Sequence, residues 1–226
     1  EILIGLVGSE MCIRDSIGAK ERVTQNRLIG LFKNVLKYTC LGNWETREGN
    51  ANIEETLLTA YLSRRGYTDK EIRSAIAKFK QAANSLGGGL YNANKEVYTL
   101  LRYGVNVQAE VTEKKKMVHL IDWANPMEND FQIAEEVTIQ GESDRRPDLV
   151  VYVNGIALAV IELKRSTVSA HEGIRQNIRN QQDGYIPRFF TTIQLLFAGN
   201  DTEGLHYGVI TVSYTHLRAH ETDQYL

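Results

Sequence analysis

Two carboxyl groups and one amino group fall within a single apolar stretch, RPDLVVYVNGIALAVIELKRS (146–166). Asp148 opens its first aliphatic run, and Glu162 and Lys164 interrupt the end of the second. A carboxylate pair at one strand end is raw material for a metal site. Mg2+ in particular takes hard oxygen ligands and keeps some of its waters. Glu162 and Lys164 are two positions apart, so on a strand both side chains leave the same face. Leu163 then points into the core, while its carbonyl lies at the edge of the site, within reach of a metal. A metal-bound water beside an ammonium group is the arrangement that attacks a phosphodiester. The metal lowers the water's pKa and stabilises charge on phosphate oxygens, and Lys164 adds a point charge.

The hairpin must bring these groups together. Asn154-Gly155 marks a turn between the two aliphatic runs. A two-residue turn there pairs Val153 with Ile156 and Asp148 with Ile161, which leaves Glu162 on the opposite face from Asp148. A three-residue loop, Val153-Asn154-Gly155, pairs Asp148 with Val160 and puts Glu162 on the same side. Gly155 supplies the left-handed residue that such a loop needs at its third position. The expectation is therefore this bulged turn, or an equivalent irregularity near Pro147-Asp148. A short D…ExK pattern also arises where charges merely blunt a sheet edge. Against that, IALAVI predicts a central strand, and a polar helix rich in amides follows at once.

The surrounding elements read as helices, then strands. The spacing of Val23, Leu28, Leu31, Phe32, Val35 and Leu36 predicts an amphipathic helix over 21–38. A loop follows at GNWETREGN (42–50). Asn52, with Glu55 three residues on, predicts the cap of a second helix ending at Gly66. Thr68 or Asp69 starts a third, broken by Gly87-Gly88-Gly89, and 92–104 forms a short fourth. Strands are predicted at VNVQAEV, KMVHLIDW and FQIAEEVTI, then the hairpin, a helix over 169–184, a buried strand at FFTTIQLLFAG and a last one at HYGVI. Helices on a mixed sheet make an α/β (α+β) layered fold.

Composition narrows the class. The chain has 226 residues, 42% hydrophobic and 24% charged, as expected of a globular protein with one real core. Its formal charge of −2 gives no overall positive field, although a basic groove fits within a neutral chain. Two cysteines, Cys12 and Cys40, make no disulfide framework and point to a reducing, cytoplasmic compartment. No apolar run approaches the ~20 residues that span a bilayer, so no membrane partner is expected. VGSEMCIRDS (7–16) and VSYTHLRAHETDQYL (212–226) carry no period that continues into their neighbours, and both resemble translated sequencing-adapter read-through. Residues 1–16 and 212–226 are accordingly set apart from a domain over 17–211, the other reading being native disordered tails. His216 and His220 are therefore not read as ligands. No G-x-x-x-x-G-K-[ST] phosphate loop occurs.

Pro147, Asp148, Glu162 and Lys164 spell PD-x13-E-x-K, which resembles the PD-(D/E)xK nuclease motif. The wider text resembles the N-terminal region of the restriction (R) subunit of type I restriction-modification enzymes. The stretches are LGNWETREGNANIEETLL, LYNANKEVYTLLRYGV, NDFQIAEEVTI, RPDLVVYVNGIALAVIELKRSTVS, EGIRQNIRNQ and FFTTIQLLFAGNDTEGLHYG, together covering about 20–210. The resemblance implies a restriction-endonuclease-like sheet and an Mg2+-dependent endonuclease acting on double-stranded DNA. It implies ATP use only through downstream motor domains absent from this chain, and assembly with methyltransferase and specificity subunits of a bacterial or archaeal complex. It also implies that Asp148 and Glu162 ligate metal, that Lys164 is catalytic, and that Glu54 matches an upstream acidic position. Of the family's QxxxY motif, Gln176 supplies the Gln, with Asn180 standing where the Tyr belongs. Gln181 and Tyr185 make a second, out-of-register match.

Arg145, Arg146, Arg165, Arg175 and Arg179 flank the motif and are candidates for contact with the DNA backbone. TEKKK (112–116) reads as a hairpin tip, and His119 as a structural histidine. Two other functions share these features: a stand-alone PD-(D/E)xK nuclease, and a non-catalytic module of the same fold that docks DNA or a partner subunit. The expectation for an isolated piece of a restriction subunit is weak or silent cleavage.

Overall fold

The computed structural model describes residues 21–108 and 114–210. The terminal segments 1–16 and 212–226 lie outside the described residues, as do Cys12, His216, His220 and part of the 112–116 run. The ordered elements are α1 (Glu21–Gly30), β1 (Thr39–Asn43), α2 (Glu55–Arg64), α3 (Asp69–Asn84), α4 (Leu90–Tyr103), β2 (Val105–Val107), β3 (Lys116–Val118), β4 (Phe131–Glu135), β5 (Leu149–Val153), β6 (Ile156–Leu163), α5 (Ala170–Asn180), β7 (Leu195–Asn200) and β8 (Gly204–Gly208). Among the described residues six strands form one sheet in the order β1-β4-β5-β6-β7-β8, and β2 and β3 form a separate two-stranded sheet. The β1–β4 and β6–β7 pairs are parallel and the other pairs of the large sheet antiparallel. The architecture is the mixed, helix-flanked sheet predicted from sequence, consistent with a nuclease-like α+β fold.

β6 lies inside the sheet between β5 and β7 and is buried along nearly its whole length. That is why IALAVI is apolar without alternation: both of its faces are covered. One face packs Val150, Tyr152, Val160 and Leu196 against Phe189, Phe190 and Ile193. The other packs Leu149, Val151, Ile161 and Leu163 against Leu28, Ile29 and Phe32 at α1 and the turn after it. A third cluster joins α2, α3 and α4 to Val105, Val118 and Ile156. Burying each such aliphatic side chain contributes roughly 1.5–3 kcal/mol before chain entropy is counted.

Four sequence expectations are corrected. The long first helix stops at Gly30, continues as one π-helical turn over Leu31–Val35, and ends where Lys37 takes a left-handed φ of 62°. Val23, Leu31, Val35 and Leu36 are exposed, while Thr24 and Gln25 are buried, so the polar side of α1 faces inward. An unpredicted strand, β1, runs into the start of the loop expected at 42–50, hidden in the sequence by Gly42, whose φ of 88° accompanies a register shift against β4. α2 begins at Glu55 with Glu54, not Asn52, at its cap, because the Asn52 amide is engaged with the Arg188 carbonyl and Thr191. Phe189–Thr191 is a 3-10 turn, and the strand predicted from there starts only at Leu195. The Thr68 cap of α3 holds, with Glu71 completing a reciprocal capping box.

The hairpin turn is also corrected. Val153 pairs with Ile156, so Asn154-Gly155 is a two-residue turn, both residues having positive φ (54° and 80°). The irregularity lies further along. Tyr152 pairs with Ala157 but Val151 with Ala159, leaving Leu158 as an extra residue in β6. This β-bulge flips the register by one and returns Asp148 and Glu162 to one face. The turn itself is tied down from the Asn154 side chain, which is fully buried. It accepts from the Asp130 N–H and donates to the Leu120 carbonyl and to Asn129 Oδ1.

Candidate active site

Asp148 immediately precedes β5, and the register Leu149↔Ile161 carries on to place it opposite Glu162 near the end of β6. Its Oδ2 accepts from the Leu163 N–H at 2.6 Å. Its carbonyl accepts from the Glu136 N–H at 2.8 Å and from the Gln25 amide at 3.3 Å. Glu162 has no solvent exposure. Its Oε2 accepts from Gln176 Nε2 at 2.7 Å, and its Oε1 has no hydrogen-bond partner among the described residues. The Lys164 ammonium donates to the Leu163 carbonyl at 2.9 Å and lies 3.7 Å from the Glu21 carboxylate.

α5 delivers Gln176. Ser169 caps this helix by accepting from the His171 N–H. Gly173 lets it lie close on the sheet, since a Cβ there would stand 3.0 Å from the Ala198 Cβ and 3.4 Å from the Glu162 carbonyl. Asn177 anchors the same face by donating to the Phe197 carbonyl at 3.0 Å. Gln176, one residue earlier, is thereby brought over Glu162.

The electrostatics follow from burial. Loss of solvent pushes the Asp148 carboxyl up from its ordinary 3.8 to about 6, against the opposing pull of the Leu163 N–H and Lys164. Glu162 is raised well above the ordinary glutamate range, first by burial and then by the neighbouring Asp148 carboxylate. A half-buried and a fully buried acid held this close, one with an unpartnered oxygen among the described residues, form a site short of positive charge. Among the described residues no group of three or more His, Cys, Asp or Glu side chains is placed to hold a metal ion. The donor set is instead two carboxylates with the Leu163 carbonyl beside them, and a hard cation that keeps several waters needs no more.

The other candidates separate by position. Glu54 is not part of this cluster. It sits at the turn end of the hairpin, its N–H bonded to the Gly155 carbonyl and its carboxylate to Arg47 at 2.6 Å. Ile156 to Glu162 is six strand steps, or roughly 20 Å, so the upstream acidic role does not fall on Glu54. Arg146 is paired with Glu45 and Glu136, and Arg175 with Glu172. Arg145 and Arg179 line a cavity that also touches Lys164 and Gln176, whereas Arg165 is exposed and outside it. Gln181 donates to the Asn177 carbonyl of its own helix, and Tyr185 lies under the Arg145 guanidinium, 4.2 Å from ring centroid to carbon.

Two acids near the site went unread in the sequence. Glu21 faces Lys164 from the start of α1, and Glu136 follows β4 in a left-handed conformation (φ 48°). Both raise the Asp148 carboxyl. Glu21 had no motif to flag it. Glu136 was visible only as one member of the EE pair in FQIAEEVTI.

Comparison with known proteins matches residues 19–213 to the family described as type I restriction enzyme R protein N terminus. Among curated relatives, the putative type I restriction enzyme MjaIXP endonuclease subunit of Methanocaldococcus jannaschii is 28% identical over 218 residues, 89% of this chain and 20% of that protein. The type I restriction enzyme SsaAORF53P endonuclease subunit of Staphylococcus saprophyticus is 30% identical over 59% of this chain and 13% of its own length. The HindI endonuclease subunit of Haemophilus influenzae is 36% identical over 38% of this chain and 8% of its own length. The chain thus spans a fifth or less of the relatives it matches.

Proposed function

The chain belongs to the family of type I restriction enzyme R protein N termini, and from that premise we propose that it is the Mg2+-dependent endonuclease domain of such a subunit, hydrolysing phosphodiester bonds of double-stranded DNA. The observation that carries the reading is the meeting of Asp148 and Glu162 on one buried face beside Lys164. It depends on a bulge that a regular hairpin would lack. On this reading the PD-(D/E)xK pattern is a working site.

Asp148, Glu162 and the Leu163 carbonyl would hold the Mg2+. When bound, the ion supplies a water of lowered pKa and positive charge for the phosphate oxygens. The chain's own groups do the rest. The Leu163 N–H fixes the Asp148 carboxylate, leaving its other oxygen for the cation. Gln176 orients Glu162 through Oε2, so that Oε1 remains the free ligand. Lys164, mostly shielded from solvent, places its ammonium close enough to pull electrostatically on both carboxylates, where charge would develop on the phosphate. In the complete subunit, ATP would act only through motor domains beyond this chain. The methyltransferase and specificity subunits would choose the DNA, and the complex would work in the cytoplasm. No helix among the described residues is long and apolar enough to cross a membrane.

The test is cleavage of supercoiled plasmid by the chain and by the complete subunit carrying it. Mg2+-dependent nicking that disappears in Glu162→Gln supports the reading. Equal cleavage by Glu162→Gln, or none by wild type in both settings, contradicts it and favours a docking module.

A further inference from the structure

We propose that the cavity beside Lys164 is a phosphate subsite, which takes a DNA backbone phosphate next to the one that is cut, with Arg145 and Asn180 among its ligands; the proposal rests on the nuclease reading above. The cavity measures about 280 Å³ and is lined by Arg145, Lys164, Glu172, Gln176, Arg179 and Asn180. It is small for an organic ligand of drug size and suits one compact anion. Three of its lining residues are cations and one is an acid, and that acid, Glu172, is already paired with Arg175.

Asn180 gives the second, independent observation. It is 1% exposed, yet neither its Nδ2 nor its Oδ1 has a hydrogen-bond partner among the described residues. Buried amides are nearly always satisfied, so an amide lining a cationic cavity with an idle donor points to a ligand that accepts. Asn180 is one turn beyond Gln176 on α5, so both side chains share a face of the helix. Gln176 serves Glu162, and Asn180 serves the neighbouring cavity. Oδ1 is left for a water accompanying the anion.

Arg145 is held in place for the same task. Its guanidinium stacks over Tyr185 at 4.2 Å and donates through Nη1 to the Asp144 carbonyl at 2.8 Å, without any carboxylate partner among the described residues. A stacked guanidinium keeps its charge and its remaining N–H edges for phosphate. Arg146, one residue on, is neutralised by Glu45 and Glu136 and is no competitor. Tyr185 thereby gains a role as the platform for Arg145.

The experiment measures binding of a fluorescein-labelled DNA duplex by anisotropy in EDTA over a range of salt, using the full 226-residue chain. Arg145→Gln and Asn180→Leu should each weaken binding about 5- to 10-fold, and Arg145→Gln should reduce the slope of log K against log salt by about 1. Tyr185→Leu should follow Arg145→Gln, while Tyr185→Phe, which keeps the ring, should bind as wild type. Thermal melts separate binding from folding, since a merely structural Asn180 would lower Tm and leave the affinity of the folded protein unchanged. Wild-type affinity and salt slope in both Arg145→Gln and Asn180→Leu would overturn the proposal, as would failure of the folded wild type to bind duplex at all. Asp148→Asn and Glu162→Gln serve as controls. If these two keep full cleavage, the nuclease reading fails whatever the binding data say, and if only the subsite fails, their cleavage is still lost.

Discussion

Asp148 and Glu162 face each other across β5 and β6 only because Leu158 is an extra residue between them and the turn. The two-residue Asn154-Gly155 turn alone would have put these carboxylates on opposite sides of the sheet. One bulge therefore decides whether the hairpin carries a site.

Burial of the pair makes the metal-free protein sensitive to pH. The folded Asp148 carboxyl sits at about 6 against an ordinary 3.8. Between those values the folded state binds more protons than the unfolded one, so stability falls as pH rises through this window. Glu162, also raised by burial, acts in the same direction. Thermal melts in EDTA should show Tm dropping from pH 4 towards pH 7, with a flatter profile in Asp148→Asn. Saturating Mg2+ should oppose the drop, because the metal binds the deprotonated carboxylates. A Tm that rises over this range in EDTA would contradict the assignment.

Gln176 donates to the Glu162 carboxylate at 2.7 Å and holds its Oε2. Gln176→Leu should weaken Mg2+ affinity and cleavage by about 10- to 100-fold, the usual cost of losing a group that orients a ligand. Calorimetric titration with Mg2+ checks this. Affinity equal to wild type would show that Glu162 needs no orienting partner.

Gly155 tests the fold apart from the chemistry. Its φ is 80°, and a Cβ there would stand 2.6 Å from the Leu57 Cβ and 2.8 Å from the Glu54 carbonyl. Gly155→Ala should cost about 1–3 kcal/mol or more, read by denaturant unfolding. Mg2+ affinity of the molecules that remain folded should not change, because the turn lies at the far end of the hairpin.

Glu54 supplies the opposite control. Glu54→Gln removes the charge that pairs with Arg47, so stability should fall by roughly 1 kcal/mol while Mg2+ binding and nicking persist. Loss of nicking without loss of stability would bring Glu54 into the site after all.

The legible parts of the sequence were those with one physical cause. Thr68 announced the start of α3 because an N-cap is a local signal, and the structure adds Glu71 to it. Asn154-Gly155 announced the turn because few other residue pairs take positive φ twice. The bulge at Leu158 was illegible because β6 is covered on both faces, so IALAVI carries no alternation from which to read parity. β1 was missed because Gly42 gives it no strand signature. α1 misled because its inward side is polar: Thr24 bonds Asp201, and Gln25 bonds Glu136 and the Asp148 carbonyl. Asp148, Glu162, Lys164 and Gln176 were named from spacing and resemblance, and the fold brings them together. Glu21 comes from a distant element, and no spacing rule reaches it. Asn180 was noticed only as a departure from a motif; its idle amide is visible only once α5 is packed.

The central claim is that Asp148 and Glu162 form one cation site with Lys164 beside it, and calorimetric Mg2+ titration of four proteins tests it most directly. Wild type should bind at neutral pH, Asp148→Asn and Glu162→Gln should lose binding, and Lys164→Ala should keep or improve it, since an ammonium competing for the carboxylates is gone. Mg2+ affinity unchanged in both Asp148→Asn and Glu162→Gln would contradict the account.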